Sequence, residues 1–64
     1  MLTSREIEII ELCGQGLITK QIAAQLNIAE DTVENHKKHM REKLNAKNMV
    51  QVVYRYMVLR REKK

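Results

Sequence analysis

The sequence lacks phenylalanine, tryptophan and proline, and it has one cysteine, two tyrosines and two glycines among 64 residues. Without these large aromatic residues, isoleucine, leucine, valine and methionine must fill the core. A single cysteine excludes an internal disulfide and therefore a disulfide-stabilised scaffold. The absence of proline and the scarcity of glycine exclude collagen-like and low-complexity chains.

Long apolar runs are also absent. No segment approaches the roughly 18 apolar residues that a membrane-spanning helix needs, and the N-terminus has no signal-peptide pattern. We therefore expect one small domain in the cytoplasm, with no membrane partner. A chain of this length buries only about 60% of the surface that it exposes when unfolded, which leaves little room for a catalytic cleft.

Charge is distributed unevenly along the chain. Twelve basic and eight acidic residues produce a net charge of +4 and a pI near 9.5. The last twenty residues hold six of the basic residues and one acidic residue, whereas the segment 21–44 is neutral. This balance favours a polyanionic partner such as nucleic acid, although a solvated basic surface fits the charge equally well.

The first helix is predicted from its start and end signals. Thr3 and Glu6 have the spacing of a capping box, in which each side chain binds a backbone N–H that the helix leaves unpaired. An apolar face follows, with Cys13 as a small core residue, and Glu6, Glu8 and Glu11 are expected on the solvent side. The helix should end at Gly14–Gly16, because glycine accepts the left-handed conformation found at helix ends.

Two further helices are expected on either side of a tight turn. Thr19 should cap a helix from Lys20 to Leu26, and Asn27 tolerates the positive φ of a turn. The third helix is predicted over residues 30–44, because its inward residues recur close to every 3.6 positions. Those residues are Val33, His36, Met40 and Leu44.

The fourth helix should begin after the cap Asn48, run from Met49 to Arg60, and leave a basic tail at 61–64. It carries two apolar stripes, whereas a surface helix normally needs one. One stripe contains Val50, Val53, Tyr54 and Met57; the other contains Met49, Val52, Tyr56 and Leu59. The second stripe suggests a seam with another copy of the chain, although a wide, half-buried stripe in a monomer is the alternative.

Residues 20–44 have the proportions of a helix-turn-helix. Ala23 is small where two helices must approach closely, Asn27 occupies the turn, and Ile28 and Val33 are apolar where the turn meets the core. Around them, the segments LTSRE (2–6), GLITKQIA (16–23), LNI (26–28), TVENH (32–36) and KL (43–44) resemble the LuxR-type, or GerE-like, DNA-binding domain. This domain is also the output domain of NarL/FixJ-type bacterial response regulators, and the resemblance spans residues 2–59.

The resemblance implies an all-α, compact four-helix (tetrahelical) helix-turn-helix domain over residues 1–60. It implies sequence-specific binding of double-stranded DNA in bacterial transcription regulation, as a homodimer that forms on DNA through the fourth helix. RNA polymerase is a further partner that the resemblance admits. No cofactor, metal or small-molecule ligand is expected in this segment.

The resemblance also assigns residues to the DNA. Base contacts fall on Glu34, Asn35 and Lys38, and helical arithmetic independently places these three opposite or beside the apolar stripe of the third helix; a solvated surface is the alternative role. Phosphate contacts are expected from Thr19, Lys20, Thr32, Arg41, Lys43 and Lys47. The dimer seam is assigned to Met49, Val52, Tyr56 and Leu59.

Two positions depart from the family pattern. Ala29 stands where Ser or Thr usually caps the recognition helix, which costs about 1 kcal/mol. Glu34 occupies a position that is often basic, so that the recognition helix together with its flank is barely positive. Both departures concern the strength and the sequence preference of DNA binding and leave the fold prediction unchanged.

Parts of the sequence are also compatible with other functions. A sigma-factor promoter-reading region shares much of the pattern, and a protein-interaction module that has lost DNA binding would suit Asp31, Glu34 and Glu42. An enzyme is disfavoured, because the sequence has no nucleophile–base pair, metal cluster or phosphate loop. Met1 directly before the first cap suggests an excised piece of a longer regulator or a freestanding domain, and we favour the former.

Overall fold

The computed structural model describes residues 2–62, which form four helices. Helix α1 spans Ser4–Gly14, α2 spans Thr19–Leu26, α3 spans Glu30–Lys43 and α4 spans Met49–Glu62. Helix α4 continues past the predicted end at Arg60, so that part of the expected tail is helical; Lys63 and Lys64 lie outside the described residues. No helix in the described range is long and apolar enough to cross a membrane.

The core is aliphatic, as the composition requires. Its fully buried members come from all four helices, and half-buried apolar residues such as Leu17, Leu44 and Tyr56 pack around them. The buried apolar residues are Ile9, Ile10, Leu12, Ile22, Ala23, Val33, Met40 and Val52. The core therefore lies where the four helices meet, and α3 contributes one stripe to it while its opposite face stays outside.

Helix α1 begins with the predicted capping box. The Glu6 backbone N–H donates to Thr3 Oγ1 over 3.1 Å, and the Thr3 N–H donates to Glu6 Oε1 over 3.0 Å. The prediction that Glu6 faces solvent is wrong, because Glu6 is 3% exposed. Its carboxylate accepts a second hydrogen bond, from Lys43 Nζ over 2.9 Å, so that an ion pair between a buried carboxylate and an exposed lysine links the start of α1 to the end of α3.

The same turn ends α1, α2 and α3. In each case a residue with positive φ follows the helix, and its own N–H and that of the next residue donate to carbonyls of the last turn, which is the Schellman arrangement. The residues with positive φ are Gly16, Asn27 and Asn45. In the second turn, for example, the Ile28 N–H donates to the Ala23 carbonyl over 3.0 Å and the Asn27 N–H donates to the Ala24 carbonyl over 3.3 Å.

The helix starts differ from one another. Asn48 caps α4 as predicted, since its Oδ1 accepts from the Gln51 N–H over 2.9 Å. Thr19 is the first residue of α2 rather than its cap; the cap is Ile18, whose N–H donates to Gln21 Oε1 over 3.0 Å. Ala29 precedes α3 without a side-chain capping bond, which confirms that this helix begins uncapped.

The Glu6–Lys43 pair generates a stability prediction with a defined pH dependence. Burial by itself would raise the pKa of Glu6, but the hydrogen bond from Thr3 and the hydrogen bond and charge of Lys43 outweigh burial, and the pKa is lowered. A carboxylate whose pKa is lowered by folding stabilises the folded state at pH values above its pKa in the unfolded chain, which is about 4.3. This contribution is lost as the pH falls through the pKa of the folded state. Glu6→Gln should therefore cost about 1–2 kcal/mol of unfolding free energy at pH 7, and less below pH 4.

Urea unfolding followed by circular dichroism at pH 7 and at pH 3 measures this difference. Glu8→Gln is the matched control, because Glu8 lies on the same helix in an exposed pair with Arg5, 3.3 Å apart, and exposed pairs contribute at most about 1 kcal/mol. Equal losses from the two substitutions, or a loss from Glu6→Gln that persists at pH 3, would contradict the assignment.

Candidate nucleic-acid interface

Helices α2 and α3 form a helix-turn-helix around residues 27–29. Asn27 adopts φ 57° and ψ 47°, which is left-handed helical geometry that asparagine tolerates better than most residues. Ala23 is buried, and its small side chain allows the two helices to approach closely. The predicted roles of Ala23 and Asn27 in this motif are confirmed by their burial and backbone geometry.

The outer face of α3 is polar and open. Val33 and Met40 are fully buried on one side of the helix, and His36 and Leu44 are half-buried beside them. The three residues predicted to contact bases, Glu34, Asn35 and Lys38, are all exposed. They lie within five consecutive positions in the middle of α3.

A side-chain cluster connects this face to the start of α2. The Thr19 hydroxyl donates to Glu34 Oε2 and accepts from Lys37 Nζ over 2.6 Å. Lys37 Nζ also lies 3.9 Å from Glu34 Oε2. Glu34, which is predicted to contact bases, and Thr19, which is predicted to contact phosphate, are therefore hydrogen-bonded directly to each other. Lys37, which has no predicted role, contacts both of them.

The signal for Lys37 was present but incomplete. Glu34 and Lys37 have the i, i+3 spacing of a helical ion pair, which any reading of the sequence can find. Their shared contact with Thr19, fifteen residues from Glu34, depends on how α2 crosses α3, and no local pattern contains that information.

The residues predicted to contact phosphate have different surroundings. Lys20, Thr32 and Lys47 are exposed, and Arg41 is half-buried. Lys43 is also exposed, and its ammonium pairs with the buried carboxylate of Glu6. The structure therefore gives Lys43 a role in packing α1 against α3, and its assignment to phosphate stays a prediction.

The predicted dimer seam on α4 also requires correction. Val52 is 0% exposed, and Met49 and Tyr56 are half-buried against the core. The apolar residues that α4 exposes are Val50, Tyr54, Met57 and Leu59. The sequence correctly indicates two stripes, but periodicity does not say which one faces the core, and the packing of α4 on α1 and α3 buries the stripe that contains Val52.

The titratable groups nearby do not form a metal site. Among the described residues, no group of three or more histidine, cysteine, aspartate or glutamate side chains could hold a metal ion. Cys13 is a free, half-buried thiol, and burial raises its pKa. A raised pKa keeps the thiol protonated at neutral pH, which is typical of a structural cysteine.

Comparison with known proteins agrees with this geometry. The family model "Bacterial regulatory proteins, luxR family" matches residues 1–56. The nitrate/nitrite response regulator protein NarL of Escherichia coli (strain K12) is 48% identical over 50 residues, which cover 78% of this chain and 23% of NarL. The chain thus spans less than a quarter of that relative.

A shorter relative is covered over most of its length. The spore germination protein GerE of Bacillus subtilis (strain 168) is 45% identical over 53 residues, which cover 83% of this chain and 72% of GerE. The solved structure of the transcription factor GerE superimposes with a TM-score of 0.88 at 38% identity, over 91% of this chain and 87% of that one. The chain therefore belongs to the luxR family of bacterial regulatory proteins and is a helix-turn-helix DNA-binding domain of the kind that regulates transcription.

Proposed function

We propose that the domain binds a two-fold DNA site as a homodimer in the bacterial cytoplasm and inserts the N-terminal half of α3 into the major groove. The observation that carries the proposal is the exposed polar face of α3 in a helix-turn-helix with the geometry of GerE. Because NarL is a response regulator of which this chain covers 23%, we further propose that the domain is the effector part of a longer response regulator. RNA polymerase is a further partner of such a regulator.

Three residues are proposed to read bases. Asn35 can pair through two hydrogen bonds with adenine, Lys38 can donate to O6 and N7 of guanine, and Glu34 can accept from N4 of cytosine. Their exposure on one face of α3 supports this assignment. Lys38 has no charged partner within the described residues, so that it can turn to a base without breaking an ion pair.

Phosphate contacts position the domain along the duplex and carry no sequence information. We assign them to Thr19 and Lys20 at the start of α2, and to Thr32, Arg41, Lys43 and Lys47. Four of the six are exposed. Thr19 and Lys43 differ from the others, since Thr19 is already bound by Glu34 and Lys37, and Lys43 by Glu6.

The dimer seam is proposed on the exposed apolar face of α4. Tyr54 is 68% exposed and Val50 is 79% exposed, and burial of such side chains would stabilise association. Beside them lies an open hollow that Leu44, Val58 and Leu59 also line. A second copy of α4 offers the same apolar residues, as a two-fold interface requires.

Enrichment of a randomised duplex pool, followed by fluorescence anisotropy with a salt titration, tests the function. We expect an inverted repeat whose half-sites are about one helical turn, roughly 34–36 Å, apart. Uniform, salt-sensitive binding without enrichment would contradict sequence-specific recognition. An absence of binding at low salt would favour the protein-interaction alternative.

Lys38→Ala should weaken recognition at one base position. The loss of its contact with guanine should reduce discrimination there by about 1–3 kcal/mol, while preferences at other positions stay unchanged. Anisotropy against a panel of single-base variants of the enriched site measures this. If discrimination at every base position were unchanged, Lys38 would be assigned to a phosphate contact instead.

Lys20→Ala provides the contrasting case. It should weaken binding to all duplexes by a similar factor and reduce the slope of log affinity against log salt by about 0.9, because one phosphate contact is lost. Salt titrations on the enriched site and on random duplex measure both quantities. A loss confined to one site would show that Lys20 reads sequence instead.

Tyr54→Ser should impair dimer formation on DNA. Truncation of a large aromatic side chain at an interface commonly costs 2 kcal/mol or more, about thirtyfold in affinity, and the substitution spares the core because Tyr54 is exposed. Binding to the two-fold site should weaken while binding to an isolated half-site stays the same. Equal effects on the two duplexes would place the seam elsewhere.

A further inference from the structure

Glu34, Thr19 and Lys37 form a closed arrangement at the start of α2. The Thr19 hydroxyl uses its proton toward Glu34 and its oxygen toward Lys37 Nζ, 2.6 Å away. Its one donor is therefore used by Glu34, and one of its two acceptor lone pairs is used by Lys37. A DNA phosphate oxygen is an acceptor, so it can bind the Thr19 hydroxyl only by replacing Glu34.

Positive charge is concentrated at this point. The Lys37 side chain is 12% exposed, so that its ammonium is largely withdrawn from water. It lies beside the first residue of α2, where the helix dipole and the unpaired N–H groups add positive potential. The Glu34 carboxylate, with its Oε2 atom 3.9 Å from Lys37 Nζ, supplies the neutralising negative charge.

The groups around Glu34 are the kind that bind a phosphate. Its carboxylate contacts a hydroxyl and an ammonium beside the N-terminus of α2, and hydroxyls, ammonium groups and helix N-termini are recurrent partners of phosphate oxygens. The carboxylate of Glu34 therefore occupies, in the free protein, a position suited to an anionic oxygen of the DNA backbone. It comes from the same face of α3 that carries Asn35 and Lys38.

We propose that Glu34 is an internal competitor of the DNA phosphate for Thr19 and Lys37, and that it releases them when its carboxylate accepts from a base donor such as N4 of cytosine. On a duplex without that donor, Glu34 stays bound and the phosphate contact is not made. On a duplex with it, Lys37 becomes a phosphate-binding residue. The inference rests on the proposed function and adds a coupling between base identity and phosphate binding.

Glu34→Gln tests this coupling by removal of the negative charge at constant shape. On random duplex, the slope of log affinity against log salt should become steeper by about 0.9, which corresponds to about eightfold tighter binding in 0.1 M salt. On the enriched site, affinity should stay the same or fall. The preference for that site over random duplex should therefore decrease by about eightfold or more.

Two further variants distinguish the release of Thr19 and Lys37 from the effect of a change in net charge. Glu42→Gln makes the same change in charge on the same exposed face of α3, but Glu42 does not contact Thr19 or Lys37. The slope of log affinity against log salt for this variant should therefore match that of the unsubstituted chain. Lys37→Met introduced into Glu34→Gln should abolish the gain in slope, because the released ammonium is then absent. Thermal unfolding by circular dichroism confirms that each variant is folded.

The outcomes are distinct. Equal gains from Glu34→Gln and Glu42→Gln would mean that net charge alone acts, and an unchanged slope in Glu34→Gln would mean that Glu34 does not compete; either result overturns the inference while duplex binding itself stands. If neither the unsubstituted chain nor Glu34→Gln bound any duplex at low salt, the proposed function would fail and the inference with it.

Discussion

The buried carboxylate of Glu6 is the interaction on which the placement of the recognition helix depends. It lies at the start of α1, is 3% exposed, and accepts hydrogen bonds from Thr3 and from Lys43 at the end of α3. An ion withdrawn from water without partners costs several kcal/mol, so that packings of α1 and α3 that separate Glu6 from Lys43 are penalised. We infer that this pair selects the observed arrangement of the two helices, beyond what their apolar contacts require.

Three turns of the same type fix the positions of α2 and α3, which form the candidate nucleic-acid interface, relative to the other helices. Gly16, Asn27 and Asn45 each adopt positive φ at the end of a helix and allow the chain to reverse direction within a few residues. Short turns with paired backbone groups leave little freedom between consecutive helices. The start of α2 and the outer face of α3 are thereby held close enough for Thr19, Glu34 and Lys37 to meet.

The charge on the recognition helix has consequences for DNA affinity. Four basic and four acidic residues in α3 cancel, and two of the basic ones, Lys37 and Lys43, are paired with carboxylates in the free protein. Net attraction to the duplex must therefore come mainly from residues outside α3, such as Lys20, Lys47 and the basic C-terminal half of α4. A dimer doubles the number of these contacts, and for this reason we expect dimer formation and DNA binding to be coupled.

Local signals in the sequence were sufficient for the secondary structure. The capping box at Thr3 and Glu6, the cap at Asn48, the turn at Asn27 and the missing cap at Ala29 all act over three or four residues, and the structure confirms each of them. The assignment to the luxR family followed from the same short segments and was confirmed by the match over residues 1–56.

Apart from the cap of α2, which is Ile18 and not Thr19, the errors concern side chains whose surroundings come from another helix. Glu6 was expected in solvent and Val52 on a dimer surface, and each is instead buried against residues far away in the chain. Helical periodicity defines faces but not which neighbour covers them, because rotation of a helix about its axis changes no local interaction. The amino-acid sequence by itself thus determined the helices, their turns and the family. Only the packing of the helices decided the rotation of α4, the pairing of the buried Glu6 with Lys43 and the Thr19–Glu34–Lys37 cluster. The reason is that the energies of these features depend on contacts between distant segments.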